Sequence, residues 1–215
     1  MSSTSLSSVV SPSIMRIGLM RHFPVEQRLP SGWKTAAELH RWRQQYDASP
    51  AILGRADLGA IQWTQCISSD VERAVETAKA VFRGPVEQTA RLREPDFAQF
   101  RTGDLRLPVW IWRWILRFSW ASGHKSQRAC RDEFRRRVTA MADLLEAKSG
   151  DILVVSHAGM MAYLSAEFRR RGFGGPKLRI PKHATLYVYE KNSAVSSRRD
   201  ITKIAGRFNA GNVAR

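Results

Sequence analysis

Short apolar runs that stop abruptly at polar residues alternate along this chain with longer segments of helical period. Ile17-Gly18-Leu19-Met20 is the first run and ends at Arg21-His22, the pattern of a buried strand feeding a polar loop. From Ser31 to Tyr46, Trp33, Ala36, Leu39, His40 and Trp42 recur at helical spacing, and Ser49-Pro50 closes the segment. Cys66-Ile67-Ser68 forms a second run. It leads through Ser69-Asp70 into Val71, Ala74, Val75, Ala78, Val81 and Phe82, spaced as one face of an amphipathic helix. Ser69 or Asp70 is expected to cap that helix, Glu72 and Glu76 suit the positive end of its dipole, and Gly84-Pro85 stop it.

Residues 107–120 hold four of the seven tryptophans. On a helix, Trp110, Trp114 and Phe118 share one edge with Ile111 and Ile115 beside them, and core or lid packing is expected of it. Its competing roles are an apolar wall for a hydrophobic leaving group and a partner or membrane-surface patch. Residues 131–147 predict a helix with Phe134, Val138, Met141 and Leu145 on one face. Gly150-Asp151 then introduces the clearest strand, Ile152 to Ser156, which ends at His157. A helix over 158–171 and a strand over 184–189 come next. Such alternation predicts an α/β domain whose central sheet is largely parallel and flanked by helices. Ligands of these sheets gather beyond the carboxyl ends of the strands. Three runs end at Arg21-His22, at Ser68-Ser69 just before Arg73, and at His157, so these residues are expected to converge.

The 215 residues suit one domain, expected over 15–191, with an uncharged Ser-rich arm at 1–14 and a basic tail at 192–215. With 43% hydrophobic and 25% charged residues, wholesale disorder is excluded. Two cysteines, Cys66 and Cys130, exclude a disulfide-rich scaffold and a four-cysteine zinc site, which makes a reduced cytoplasmic setting the default. No run of about 18 apolar residues marks a transmembrane helix. The net charge of +16 points to anionic partners: phosphorylated metabolites, nucleic acid or an acidic membrane face. Arg135-Arg136-Arg137 and Arg169-Arg170-Arg171 lack the interleaved aromatics of a single-strand nucleic-acid platform and read as solvated helix faces.

If the strand ends converge, Arg21 and Arg73 offer forked donors that match phosphate oxygens. The helix start near Asp70 adds backbone N–H groups, and His22 and His157 supply an imidazole to attack phosphorus and another to hydrogen-bond a phosphoryl oxygen. Four segments, in order, also resemble motifs of the histidine phosphatase superfamily, which includes the phosphoglycerate mutases. Leu19-Met20-Arg21-His22 resembles its RHG strand end, and Ser68 to Ala78 its SSDLxRAxxTA helix start. Arg91 to Phe97 is similar to its LxExxFG segment, and Val154 to Gly159 to its VSHGG strand end. The resemblance implies a phosphoglycerate mutase-like fold, His22 as a transiently phosphorylated nucleophile, and Arg21, Arg73 and His157 as the phosphate pocket. It implies Glu94 as the acid that protonates the leaving oxygen and requires neither metal nor cofactor; Asp96, two residues on, is the alternative acid by its nearness. Phe23 and Ala98 stand where the motifs carry glycine, and the segment after Phe23 lacks both the ETxWN pattern of the mutases and the RxP continuation of the acid phosphatases.

The expected function is therefore metal-independent hydrolysis of a small phosphorylated substrate. A mutase that returns the phosphoryl group to product, and a catalytically silent basic binding module, are the alternatives. His40, His124 and His183 are expected to be surface or structural residues, and Cys66 and Cys130 unreactive thiols.

Overall fold

The structure, a computed structural model, describes residues 14–192. The expected arm and tail lie outside these residues, except for Ile14 and Asn192, which end two strands. Five strands form the central sheet: β1 (Ile14–Arg21), β3 (Gln65–Ser69), β4 (Val86–Thr89), β6 (Ile152–Ser156) and β7 (Leu186–Asn192). Their order is β4-β3-β6-β1-β7, with β7 antiparallel to β1 at one edge and every other pairing parallel. The architecture is thus α/β with a mostly parallel sheet.

Side-chain alternation sorts the core onto the two faces of that sheet. Ile17, Leu19, Ile152 and Val154 pack against α4 (Arg128–Ala147) and α5 (Ala158–Arg170), where Phe134, Met141, Leu145, Leu164 and Phe168 are fully buried. Met20, Leu153 and Val155 face the opposite way, onto Ala74 and Ala78 of α2 (Glu72–Val81). Because both faces are covered, all five residues of β6 are buried, which is why this strand reads as an unbroken apolar run. Among the described residues, no helix is long and apolar enough to cross a membrane.

Several elements differ from expectation for identifiable reasons. The first helix, α1 (Ala36–Asp47), starts five residues later than its pattern suggests. Thr35 and Glu38 form a capping box that fixes its start. Trp33–Lys34 before it (β2) pairs instead with Leu107–Pro108 (β5). Neither Ser69 nor Asp70 caps α2, whose N-cap is Val71 with no side-chain bond. Asp70 is drawn to Arg93, with both carboxylate oxygens engaged at 2.7 and 2.6 Å, and Ser69 is taken by His157. Strand β4 gives no apolar signal, because Glu87 and Gln88 at the sheet edge are exposed.

The tryptophan-rich segment is α3 (Val109–Ser122), closed by Gly123 in the left-handed conformation. Its buried tryptophans are Trp112 and Trp120, whose indole N–H groups donate to the Lys34 carbonyl and to Tyr163 Oη. The segment thus packs in part as expected, through Trp112 and Trp120, while the edge of Trp110, Trp114 and Phe118 faces solvent, 63, 66 and 75% exposed. The two buried indoles each find an acceptor, which is what permits a tryptophan to be buried.

Candidate active site

The neighbouring strands β3, β6 and β1 end side by side, and the chain leaving β6 and β1 carries His157 and His22. The His22 backbone N–H donates to the Ser156 carbonyl at 3.0 Å, extending the β1–β6 ladder one residue beyond the strand. Phe23 N–H donates to Thr77 Oγ1 of α2 at 2.9 Å, so the backbone on both sides of the imidazole is held. His22, His157 and Arg73 are at most 2% exposed.

Arg73, in the first turn of α2, joins the two histidines. Its Nε–H donates to His22 Nε2 at 3.2 Å and its Nη2–H to His157 Nδ1 at 3.2 Å. The outer edge of the same guanidinium donates to the carbonyls of Tyr46 and Asp47 and to Asp47 Oδ1 at 2.9 Å, tying the end of α1 to the site. These bonds fix the tautomers. His22 Nδ1–H donates to the Phe23 carbonyl at 2.6 Å, leaving the lone pair on Nε2. His157 Nε2–H donates to Ser69 Oγ at 2.9 Å, leaving its lone pair on Nδ1.

Electrostatics favour neutral imidazoles. Burial, reinforced by the Arg73 charge, pushes His22 down to about 3. The same two causes lower His157 well below the ordinary histidine value. Arg73 is itself lowered by burial, an effect that Asp47 opposes. An unprotonated Nε2 beside a guanidinium is suited to attack an anionic electrophile that the cation holds.

Arg21 and Glu94 flank this cluster without hydrogen-bonding to it. Arg21 Nη1–H donates to the Pro181 carbonyl at 3.1 Å, while its buried Nε–H has no partner among the described residues. That donor is available to an anion. Glu94 follows a 3-10 turn at Ala90–Leu92, and its oxygens accept from Gly159 N–H at 2.9 and 3.0 Å and from Met160 N–H at 3.2 Å. It therefore holds the amino end of α5, the helix that begins directly after His157. A Cβ on Gly159 would stand 2.7 Å from Glu94 Oε2, so this approach requires glycine. Asp96 is exposed.

Three further residues shape the site. Asp47 anchors Arg73 and Ser69 anchors His157, while His183 Nδ1–H donates to the His22 carbonyl at 2.8 Å, its ring 5.1 Å from that of His22. His183 keeps the structural role expected of it, but on the backbone of His22. The Arg43–Asp47 spacing of four residues is a helical ion-pair signal, and nothing in it identifies Asp47 as a partner of Arg73. Among the described residues, no group of three or more His, Cys, Asp or Glu side chains converges as metal ligands do.

A family model described as the histidine phosphatase superfamily (branch 1) matches residues 43–194. That span includes Arg73, Glu94 and His157 and begins after Arg21-His22. Among solved structures, a phosphoglycerate mutase from Bacillus anthracis str. Sterne is 17% identical, with a TM-score of 0.53 over 84% of this chain and 89% of that one. A structure titled mycobacterial hydrolase 2 is 18% identical, with a TM-score of 0.50 over 83% of each chain. Both share the fold. No curated protein matches the chain.

Proposed function

Because the chain belongs to the histidine phosphatase superfamily, we propose that it hydrolyses phosphomonoesters through a phosphohistidine on His22, in a reducing, cytoplasmic setting that suits its free Cys66 and Cys130. The observation that carries this reading is the Arg73 guanidinium held between two neutral imidazoles, one of which presents its Nε2 lone pair. Phosphoryl transfer needs mainly positioning and charge neutralisation, and this cluster is built for both.

In the proposed reaction, the phosphate dianion displaces the Arg73–His22 contact and is held by Arg73 and the free Nε–H of Arg21. His22 Nε2 forms a bond to phosphorus as the ester P–O bond breaks, and Glu94 delivers a proton to the departing alkoxide. Water then attacks the phosphohistidine, returns a proton to Glu94 and releases phosphate. His157 aligns Arg73, with Ser69 fixing its tautomer. A mutase would need to retain a second phosphorylated ligand, and the chain after Phe23 has no ETxWN segment for it.

The test is release of phosphate from p-nitrophenyl phosphate and a panel of metabolites in the presence of EDTA, alongside His22→Ala. Turnover by the wild type that disappears in the variant, with an acid-labile phosphoenzyme in the wild type, supports hydrolysis. Equal turnover by both proteins, or none by either across the panel, overturns it.

A further inference from the structure

The proposed chemistry leaves a cavity of about 370 Å³ unused, bounded by α1, residues 95–100 and α3. Its walls are mainly apolar: Leu39, Trp42, Phe97, Phe100, Trp112 and Leu116. Two other lining residues lead to the active site. Arg43 Nε–H donates to Asp47 Oδ2 at 2.8 Å, and the other oxygen of Asp47 accepts from Arg73. Pro95 directly follows Glu94. Resting on the phosphatase reading, we propose that this cavity takes the alcohol portion of the substrate, which makes the preferred substrates phosphomonoesters of apolar alcohols, aromatic or long-chain.

Wall chemistry decides the class. A sugar or polyol phosphate would bury most of its hydroxyls against indole, phenyl and leucine surfaces, with polar partners confined to a minority of the lining such as His40, Asp96 and Gln99, at a cost an apolar chain avoids. Of the two lining arginines, Arg43, the one linked through Asp47 to Arg73, is already paired and so is not free to receive a carboxylated alcohol. The volume lies within the range of small-molecule sites and admits a two-ring aromatic or a chain of about a dozen carbons.

An n-alkyl phosphate series from ethyl to decyl tests this. The value of kcat/KM should rise about fourfold per methylene until the cavity is full, and 1-naphthyl phosphate should outrun glycerol phosphate. In Phe100→Ala and, separately, Leu116→Ser, the gain per methylene should shrink. A flat series with p-nitrophenyl phosphate still hydrolysed overturns the cavity proposal and leaves the phosphatase reading standing. Titration of the His22→Ala protein with the same phosphates, followed by tryptophan fluorescence, separates the reverse case. Affinity that climbs with chain length without any turnover by the wild type keeps the cavity and removes the reaction.

The outer side of α3 carries a second, independent observation. Trp110, Trp114 and Phe118 form an exposed stripe, and a shallow hollow lined by Pro108 and Arg113 joins Trp110 to exposed Trp33. Arg113 and Arg117, both exposed, run along one flank of the stripe. Residues 99–131 hold seven basic side chains against the single acidic Asp104. We infer that this face seats on an anionic lipid surface, with indoles at the headgroup level and guanidiniums on the phosphates. A second copy fits poorly, because its approach brings together two chains that each carry +16.

Co-sedimentation with phosphatidylglycerol-containing vesicles and with pure phosphatidylcholine vesicles distinguishes the outcomes. Binding is expected to the anionic vesicles alone, weakened by salt and lost in Trp110→Ser/Trp114→Ser/Phe118→Ser with p-nitrophenyl phosphate turnover retained. No vesicle binding, equal binding by the variant, or a concentration-dependent dimer that the variant abolishes overturns the inference. So does RNA binding that the variant abolishes, in the absence of vesicle binding.

Discussion

Arg73 Nε–H donates to His22 Nε2 at 3.2 Å, so the cation proposed to hold phosphate also occupies the lone pair proposed to attack it. Substrate must separate the two, and the same guanidinium must stay aligned by His157 while it does so. A lysine at this position would keep the charge but not the fork that reaches both imidazoles and Asp47. Arg73→Lys is therefore expected to lower kcat/KM for p-nitrophenyl phosphate by about 100-fold or more, the scale of losing a transition-state donor. Steady-state kinetics measures the loss, and a cooperative melt of the variant shows that it comes from the site. Retention of a third or more of the activity would contradict the role.

Asp47 places a carboxylate oxygen 2.9 Å from Nη2 of the guanidinium whose Nε side phosphate would approach. Asp47→Asn keeps an oxygen acceptor for Nη2 while removing the negative charge that repels a dianion. At a separation of about 4 Å the repulsion is about 1 kcal/mol for each unit of the dianion's charge even in water. Inorganic phosphate should accordingly inhibit the variant several-fold more tightly, with a smaller change in kcat. Inhibition constants unchanged or weakened would show that Asp47 serves only to orient the arginine.

Three imidazoles depressed by burial make the fold acid-sensitive in a defined window. His22, at about 3 in the folded chain, binds its proton near 6.5 once exposed, and His157 and His183 shift in the same direction. The unfolded state therefore takes up protons first, so stability is full above pH 6.5 and is lost as pH falls from there toward 3. For His22 alone the slope approaches about 1.4 kcal/mol per pH unit within that window, and His157 adds to it in the same direction. Denaturant titrations at pH 7, 6 and 5 should show this decline. In His22→Gln the slope should be shallower by about one proton, as read from proton uptake on unfolding.

The strand ends were legible because covered parallel strands are continuous apolar runs, against which the polar residues at their carboxyl ends stand out. Arg21, His22, Arg73 and His157 could be picked from the sequence on that basis, and the β3-β6-β1 order brings their strand ends together. What the sequence hid lies in contacts without periodicity. Asp47 reaches Arg73 through the end of a helix that packs against the site, and His183 reaches the His22 backbone from the loop preceding the antiparallel edge strand. The orientation of α3 was equally hidden. Its tryptophans occur all round the helix, and the indoles that are buried are the two that find both an acceptor, on Lys34 and Tyr163, and aromatic neighbours, Phe100 for Trp112 and Phe97 and Phe134 for Trp120.

Glu94 is the member of the set whose role leaves a kinetic signature of its own. Its carboxylate accepts three bonds from the first amides of α5, so one oxygen must turn toward the phosphate before it can protonate a leaving group. Glu94→Gln preserves an acceptor for those amides and cannot supply the proton. For an alkyl phosphate, whose alkoxide leaves poorly, kcat should fall by about 100-fold or more. For p-nitrophenyl phosphate, whose phenolate needs little help, the loss should be much smaller. A structural role confined to helix capping would instead depress both substrates alike and lower stability by about 1 kcal/mol. Gly159→Ala, which drives a methyl group against Glu94 Oε2, should reproduce the alkyl-selective loss by displacing the same carboxylate. Should Asp96→Asn show the leaving-group selectivity and Glu94→Gln lack it, the proton comes from the exposed aspartate at the cavity wall.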